Sequence, residues 1–113
     1  TLILTANPNK FASLNMMAAG LARTIGEPNT ALRFYYHVAE KMPTHRDAQV
    51  ALLMMGIIYE DELQDLDKAK STYEEFLRRY PDGSEYTNDV KTSLENLGIP
   101  LEERVKRMEQ NQE

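Results

Sequence analysis

Three widely spaced prolines constrain the fold of this sequence more than any other feature. Pro8 and Pro43 stand 35 residues apart, and Pro43 and Pro81 stand 38 residues apart. An alanine lies twelve residues before both Pro43 and Pro81, and a tyrosine lies eight residues before both. Because proline ends helices and a fixed interval marks a repeated unit, this spacing predicts helical pairs repeated along the chain.

The residues between the prolines alternate helix-forming runs with short breaks. Thr44 is predicted as an N-cap, with Asp47 completing a capping box, and Asp65 is predicted as the next N-cap. Because the connections are only a few residues long, successive helices must pack antiparallel. The predicted helices cover residues 9–25, 28–42, 45–63, 66–80, 85–97 and 100–111.

Small and aromatic residues alternate within the second helix of each pair. Ala69 is followed one turn later by Tyr73 and then by Phe76. The small residue lets two helices approach closely, and the ring fills the space beyond it. The same order recurs in the first pair, so we expect these side chains to form the core of a stack.

This pattern resembles the tetratricopeptide repeat, a helix–turn–helix unit of roughly 34 residues. One additional residue lies in the turn EDELQDLDKA of the second unit, and the first unit departs from the pattern at Asn15 and Ala22, where large side chains are usual. The third unit keeps only the apolar face. The matching residues are Ala19, Gly26, Ala31, Tyr35, Val38 and Pro43 in the first unit, Leu52, Gly56, Tyr59, Ala69, Tyr73, Phe76 and Pro81 in the second, and Val90, Leu94 and Leu97 in the third.

The resemblance implies an all-α fold, a right-handed superhelical stack of antiparallel helix pairs. About two and a half repeats are expected within a single domain, followed by a C-terminal capping helix. The predicted boundaries are 1–7 for the remnant of a preceding repeat, 8–43 for repeat one, 44–81 for repeat two, 82–98 for a degenerate repeat, and 99–113 for the capping helix and tail.

The resemblance also implies a binding surface, because the first helix of each repeat lines the concave face in this family. A non-catalytic scaffold or adaptor that binds a peptide or a helix in this groove is therefore expected. The alternative is that the last helix covers Leu53 and Ile57 with the face formed by Leu101, Val105 and Met108. The predicted groove residues are Met16, Arg23, Val50, Leu53, Ile57, Glu60, Lys91 and Glu95.

Self-association is a second hypothesis, from another class of function. The apolar residues Leu2, Ile3 and Leu4 form the predicted N-terminal edge of the stack. Two chains joined through this edge would make the protein an oligomerisation module of a longer protein.

The charge distribution argues against nucleic acid as a partner. Residues 1–43, 44–83 and 84–113 carry formal charges of +2, −4 and −3, giving the net charge of −5. The sequence has no basic stripe that would neutralise phosphates. It also has no apolar run of the roughly 20 residues that a membrane span requires.

Two stretches suggest a cellular location. The runs PTHRDAQVALLMMGIIYEDE and FLRRYPDGSEY are similar to cell-envelope tetratricopeptide proteins of Gram-negative bacteria, of the outer-membrane assembly lipoprotein and Tol–Pal coordinator types. This similarity implies the periplasmic side of a bacterial envelope, with the cytoplasm as the alternative. The absence of cysteine is compatible with either compartment.

The candidate chemical groups do not form a catalytic or metal-binding pattern. His37 and His45 lie on different predicted helices without a second ligand at metal spacing. The acidic run between Glu60 and Asp67 lacks the glycine and terminal glutamate of a calcium loop, which leaves a solvated turn or a docking edge for basic peptides. Met16, Met17, Met54 and Met55 are interpreted as core residues rather than an adaptable binding surface. We therefore expect no enzyme activity, no cofactor and no metal.

Overall fold

The computed structural model describes residues 7–111, which contain helices and no β-strand. The first four helices and the sixth begin within one residue of their predicted starts, and the fifth begins two residues later than predicted. Among the described residues, no helix is both long enough and apolar enough to cross a membrane. The helices are α1 (Pro8–Thr24), α2 (Pro28–Lys41), α3 (Arg46–Ile57), α4 (Leu66–Arg79), α5 (Thr87–Glu95) and α6 (Leu101–Asn111), and a π turn (Ile58–Glu62) follows α3 directly.

Consecutive helices pack against each other from α1 to α5, as the short connections predict. The repeated positions form the core: Ala31 and Ala69 are fully buried, and Tyr35 and Tyr73 are 4 % and 1 % exposed. Each small residue brings its helix close to a neighbour and each ring fills the space one turn later. The all-α stack of antiparallel pairs predicted by the resemblance is confirmed.

Arg79 connects the second helices of the two complete pairs. Its guanidinium, on α4, donates to Glu40 Oε1 at 2.6 Å and to the Ala39 carbonyl oxygen at 3.3 Å, both on α2. It also donates to Glu75 Oε2 at 2.6 Å within α4. Tyr80 adds a second link, because its hydroxyl donates to the Pro43 carbonyl oxygen at 2.8 Å.

Helix capping differs from the sequence prediction at one position. Asp65 is the N-cap of α4, as predicted, and its carboxylate accepts from the Lys68 amide at 3.1 Å. The N-cap of α3, however, is His45 and not Thr44, since His45 Nδ1 accepts from the Asp47 amide at 3.0 Å. The proton therefore lies on His45 Nε2, which is 2.8 Å from Asn9 Oδ1 and donates to it.

The π turn accommodates the additional residue in the turn of the second unit. The Leu63 amide donates to the Ile58 carbonyl oxygen, and the Asp65 amide donates to the Tyr59 carbonyl oxygen, so the hydrogen bonds reach five and six residues back. A π turn inserts residues into a helix without breaking its hydrogen bonding. The chain then reverses through Gln64, which has a positive φ of 50°.

The departure at Asn15 is accommodated within α1. Asn15 is 3 % exposed, and its side-chain amide donates to the Phe11 carbonyl oxygen one turn earlier at 2.8 Å. This bond satisfies a polar group that would otherwise be costly to bury. Position 15 therefore supports the helix in spite of its short, polar side chain.

The C-terminal helix does not cover the stack as predicted. α6 forms over the predicted residues, but none of its side chains is buried. Leu101, Val105 and Met108 are 74 %, 43 % and 64 % exposed, so this face does not cover Leu53 and Ile57. The amphipathic spacing correctly predicted an apolar face on α6, but the prediction that this face packs against the stack was wrong.

The N-terminal predictions lie outside the described residues. Both the preceding-repeat remnant and the apolar edge of Leu2, Ile3 and Leu4 depend on residues before Asn7. They remain predictions, as do the boundaries assigned to the individual repeats.

Candidate functional site

An apolar strip on α3 forms the centre of the predicted groove. Val50, Leu53 and Ile57 are spaced by three and four residues, which places them on one face of the helix. All three are half-buried, and Leu53 packs against the core. Met16, on α1, is also half-buried against the core. Leu53 therefore joins the strip to the core, while part of the surface of the strip stays accessible.

A cavity of about 470 Å³ adjoins the N-terminal end of this strip. Val50 belongs to its wall, so the cavity continues from the apolar strip. The Ser84 hydroxyl donates to the Gln49 side-chain oxygen, which joins the segment before α5 to α3. This pocket was not predicted from the sequence, because its two walls lie far apart in the chain. It is lined by Arg46, Asp47, Gln49, Val50, Gly83, Ser84, Glu85 and Tyr86.

Glu60 lies at the other end of the strip and is already paired. One carboxylate oxygen accepts from the Tyr73 hydroxyl at 2.9 Å, and the other accepts from Arg104 Nη2 at 3.2 Å. Burial and the Glu60 carboxylate raise the pKa of Tyr73 well above its ordinary value, so the phenol keeps its proton and donates it. Glu60 therefore holds α4 and α6 together rather than standing as a free charge.

The other predicted charged residues fall into two groups. Arg23 donates to Glu62 Oε1 at 3.1 Å, which ties α1 to the π turn. Lys91 and Glu95 are exposed on α5, one helical turn apart. Of the four predicted charged residues, Arg23 and Glu60 are therefore engaged in ion pairs with distant residues, whereas Lys91 and Glu95 are not. These ion pairs were not predictable from local sequence.

A second cavity, of about 590 Å³, separates α5 from α6. Glu95 lies in its wall, so it adjoins the predicted groove at the end opposite the first cavity. Arg104 spans the gap, donating to the Ile99 and Asn96 carbonyl oxygens at 2.8 and 3.0 Å. The cavity is lined by Thr92, Glu95, Asn96, Leu101, Arg104, Arg107, Met108, Gln110 and Asn111.

A third cavity, of about 330 Å³, lies between α2 and α3 and was not predicted from the sequence. The sequence did contain one indication of this cavity. Tyr36 is a large aromatic residue directly after the buried Tyr35, and it is 54 % exposed. Met55, the one buried methionine of the four considered, forms part of its floor. The lining residues are Leu32, Arg33, Tyr36, His37, Met55 and Tyr59.

Three residues of the acidic run between Glu60 and Asp67 have structural roles. Glu60 and Glu62 pair with arginines, and Asp65 caps α4. Within residues 7–111, no three His, Asp or Glu side chains are arranged to share a metal ion. The docking edge for basic peptides therefore reduces to the exposed residues Asp61 and Asp67.

Comparison with known families gives one match. Residues 50–83, which span most of α3, the π turn and α4, match the tetratricopeptide repeat. No curated protein and no solved structure matches the chain. Tetratricopeptide repeats generally mediate contacts between proteins. The central helix pair, over residues 50–83, is therefore similar in sequence to a tetratricopeptide repeat and lies within an all-helical stack.

Proposed function

We propose that this protein is a non-catalytic scaffold that binds a peptide or helical segment of another protein along α3 and α5. The observation that carries this proposal is the accessible apolar strip of Val50, Leu53 and Ile57, which α6 leaves uncovered. A rigid helix face with apolar residues at its centre and charges at its edge is a common docking surface for peptides.

The length of the strip limits what it can bind directly. Val50 and Ile57 are seven residues apart on α3, a rise of about 10 Å. That length matches about three residues of an extended peptide or two turns of a helix. The adjoining cavities beside Val50 and Glu95 would extend the contact at both ends.

The apolar and charged residues have different roles in this proposal. Burying the exposed parts of Leu53 and Ile57 contributes affinity in proportion to the apolar area removed from water. Lys91 and Glu95 are exposed, so each adds little affinity but selects partners by charge. Arg23 and Glu60 would take part only if the partner replaced their existing ion pairs.

A peptide-display selection tests this function. The double variant Leu53→Glu, Ile57→Glu should lose the peptides that the unaltered protein enriches, because both substitutions place carboxylates in the strip. Tyr36→Glu is the matched control, since it adds a carboxylate to an exposed position in the cavity between α2 and α3. Circular dichroism and thermal unfolding establish that each variant is folded.

A second pair of variants keeps the test decisive if the double variant unfolds. Lys91→Glu and Glu95→Lys change only exposed side chains of α5. In our proposal each reverses the charge preference among enriched peptides while leaving the fold intact. Equal enrichment by all variants, or none by the unaltered protein, would contradict binding in this groove.

We place the proposed function in the bacterial cell envelope, on the periplasmic side, with the cytoplasm as the alternative. The support is the similarity of residues 43–62 and 76–86 to envelope tetratricopeptide proteins. Fractionation of the source cells, followed by immunodetection of the endogenous protein, tests this location. Recovery with the periplasmic or membrane fraction is expected, and recovery only with cytoplasmic markers would contradict it.

A further inference from the structure

The cavity between α2 and α3 combines an apolar floor with aromatic side chains. Leu32 and Met55 line it and are buried, so they form its floor. Tyr36 on α2 and Tyr59 on the π turn add two aromatic side chains to the lining. None of the predicted groove residues belongs to this lining, so the cavity is separate from the proposed peptide groove.

Basic side chains stand at the mouth of this cavity. Arg33 and His37 line it and are exposed, one helical turn apart on α2. Lys68 approaches from α4, since its Nζ lies 5.9 Å from the centroid of the Tyr59 ring. The described lining contains no acidic residue, although the whole chain has a net charge of −5. The cavity therefore favours an anion over a cation.

The carboxylates on the neighbouring segments are already engaged elsewhere. Glu40, near the end of α2, accepts a hydrogen bond from Arg79 at 2.6 Å. Asp65 caps α4, and its carboxylate lies 3.9 Å from Lys68 Nζ. Neither carboxylate is paired with Arg33, so the positive charge of Arg33 at the mouth of the cavity is not neutralised by them.

Arg33 has hydrogen-bonding capacity that the fold does not use. A guanidinium has five N–H donors. Within residues 7–111, the Arg33 side chain makes one hydrogen bond, from Nη2 to Thr30 Oγ1 at 3.4 Å, and no ion pair. An arginine can bind a carboxylate through two parallel hydrogen bonds, a geometry that lysine does not offer. The anion that suits this mouth best is therefore a carboxylate.

The size of the cavity limits the ligand. Its volume of about 330 Å³ lies at the lower end of the range for small-molecule sites, roughly 300–1,000 Å³. A single ring in the cavity would contact the two tyrosines and the thioether of Met55, contacts that favour an aromatic group. Because Arg33 lines the same cavity, a short chain between the ring and the carboxylate is sufficient.

We propose that this cavity binds a small aromatic carboxylate, a single ring joined to one carboxylate by a short chain. The ring lies against Tyr36, Tyr59 and Met55, and the carboxylate accepts hydrogen bonds from Arg33. Because this ion pair is exposed to solvent, the binding is weak, with a Kd of about 0.1–1 mM.

Titration of the labelled protein with phenylacetate, followed by nuclear magnetic resonance, tests this proposal. Saturable shifts are expected at the amides of Leu32, Arg33, Tyr36 and Tyr59 and at the methyl group of Met55. Two matched probes separate the parts of the ligand, since phenylacetamide lacks the charge and acetate lacks the ring. Each should bind about three- to tenfold more weakly than phenylacetate.

Substitution of Arg33 tests the assignment of the carboxylate. Arg33→Gln should weaken phenylacetate binding about three- to tenfold and leave phenylacetamide binding unchanged, because only the charged interaction is removed. Arg46→Gln, which removes an exposed arginine outside the cavity, is the matched control.

Four results would overturn the proposal. The first is the lack of saturable shifts around the cavity, and the second is equal binding of phenylacetate and phenylacetamide. The third is equal binding of phenylacetate by Arg33→Gln and the unaltered protein. The fourth is a set of shifts concentrated at Val50, Leu53 and Ile57, which would place the ligand in the peptide groove.

The cavity and the peptide groove can be tested separately. Tyr36→Glu should repel phenylacetate while keeping the peptides that the groove binds, because Tyr36 is exposed and lines only the cavity. The double variant Leu53→Glu, Ile57→Glu should lose those peptides and bind phenylacetate like the unaltered protein. Unchanged phenylacetate binding by Tyr36→Glu would contradict the proposed cavity site and would leave the proposed groove unaffected.

Discussion

The ring of Tyr73 packs directly against the backbone of Gly56. A Cβ atom placed on Gly56 would lie 2.4 Å from Tyr73 Cε1 and 2.7 Å from Cδ1, closer than real Cβ contacts. Tyr73 is 1 % exposed and its hydroxyl is bonded to Glu60, so the ring cannot move aside easily. The glycine therefore sets the distance between α3 and α4, the pair whose sequence matches the tetratricopeptide repeat.

Gly56→Ala is predicted to destabilise the protein by about 1–3 kcal/mol, the usual cost of overpacking a core. Chemical denaturation followed by circular dichroism measures the change. Gly20→Ala is the matched control, since no atom beyond the backbone of its own helix and its chain neighbours lies within 4 Å of a Cβ at this position. It should stabilise the protein by about 0.5–1 kcal/mol, because alanine is the better helix former. Equal effects at both glycines would contradict the close approach of Tyr73.

Gln64 has a left-handed backbone at the end of the π turn, with a φ of 50°. This conformation is strained for a residue with a Cβ atom and relaxed for glycine. Gln64→Gly is predicted to stabilise the protein by about 0.5–1 kcal/mol, despite the added entropy of the unfolded chain. Gln64→Val should destabilise it, because a branched side chain tolerates this conformation least. Thermal unfolding of both variants measures the difference, and a loss of stability with glycine would contradict it.

Arg104 is predicted to control the mobility of α6. It bonds to Glu60 and to the carbonyl oxygens of Asn96 and Ile99, while no side chain of α6 is buried. Arg104→Ala should therefore speed amide hydrogen exchange throughout α6 with little change in the midpoint of global unfolding. Arg107→Ala, which removes the same charge from the same helix, is the control. Unchanged exchange in Arg104→Ala would show that α6 is held by other contacts.

Glu75 is predicted to make stability depend on pH in the acid range. Hydrogen bonds from Arg78 and Arg79 lower its pKa from 4.5 to about 2. A carboxylate with a lowered pKa in the folded state stabilises that state above its unfolded pKa, and this contribution falls away between pH 4.5 and pH 2. The stability difference between the unaltered protein and Glu75→Gln should therefore be largest above pH 5 and vanish near pH 2.

Urea unfolding of both proteins across this range measures that difference, and Glu74→Gln is the control at the neighbouring exposed position. The salt-bridged Glu75 is partly accessible, so the effect should also weaken as salt is added. A constant difference between the two proteins from pH 7 to pH 2 would contradict the lowered pKa.

The features predictable from sequence were those set by local spacing. Gly56, Ala69 and Tyr73 match the pattern of the repeat. In the structure Ala69 and Tyr73 are buried, and the backbone of Gly56 lies close to the ring of Tyr73, as the pattern predicts. The additional residue before α4 was located correctly, but its absorption into a π turn depends on hydrogen bonds that no pattern specifies. His45 and not Thr44 is the N-cap of α3, and its imidazole also contacts Asn9, a residue far away in the sequence that no local pattern indicates.

The candidate site was predictable only in part, because some of its contacts join residues that are far apart in the chain. The spacing of Val50, Leu53 and Ile57 predicts one helix face, and the structure has it. The pairing of Glu60 with Arg104 joins residues 44 positions apart, so sequence spacing gave no indication of it. Similarly, the apolar face of α6 was visible in the sequence, but the position of that helix relative to the stack was not.

The most direct test of the account is to map a bound peptide onto the protein by nuclear magnetic resonance. A peptide enriched by display is titrated into the labelled protein, and changes in amide shifts are followed residue by residue. We predict that the largest changes occur at Val50, Leu53 and Ile57 on α3 and at Lys91 and Glu95 on α5. Changes concentrated instead at Leu32, Tyr36 and Tyr59, around the cavity between α2 and α3, would contradict binding in the groove.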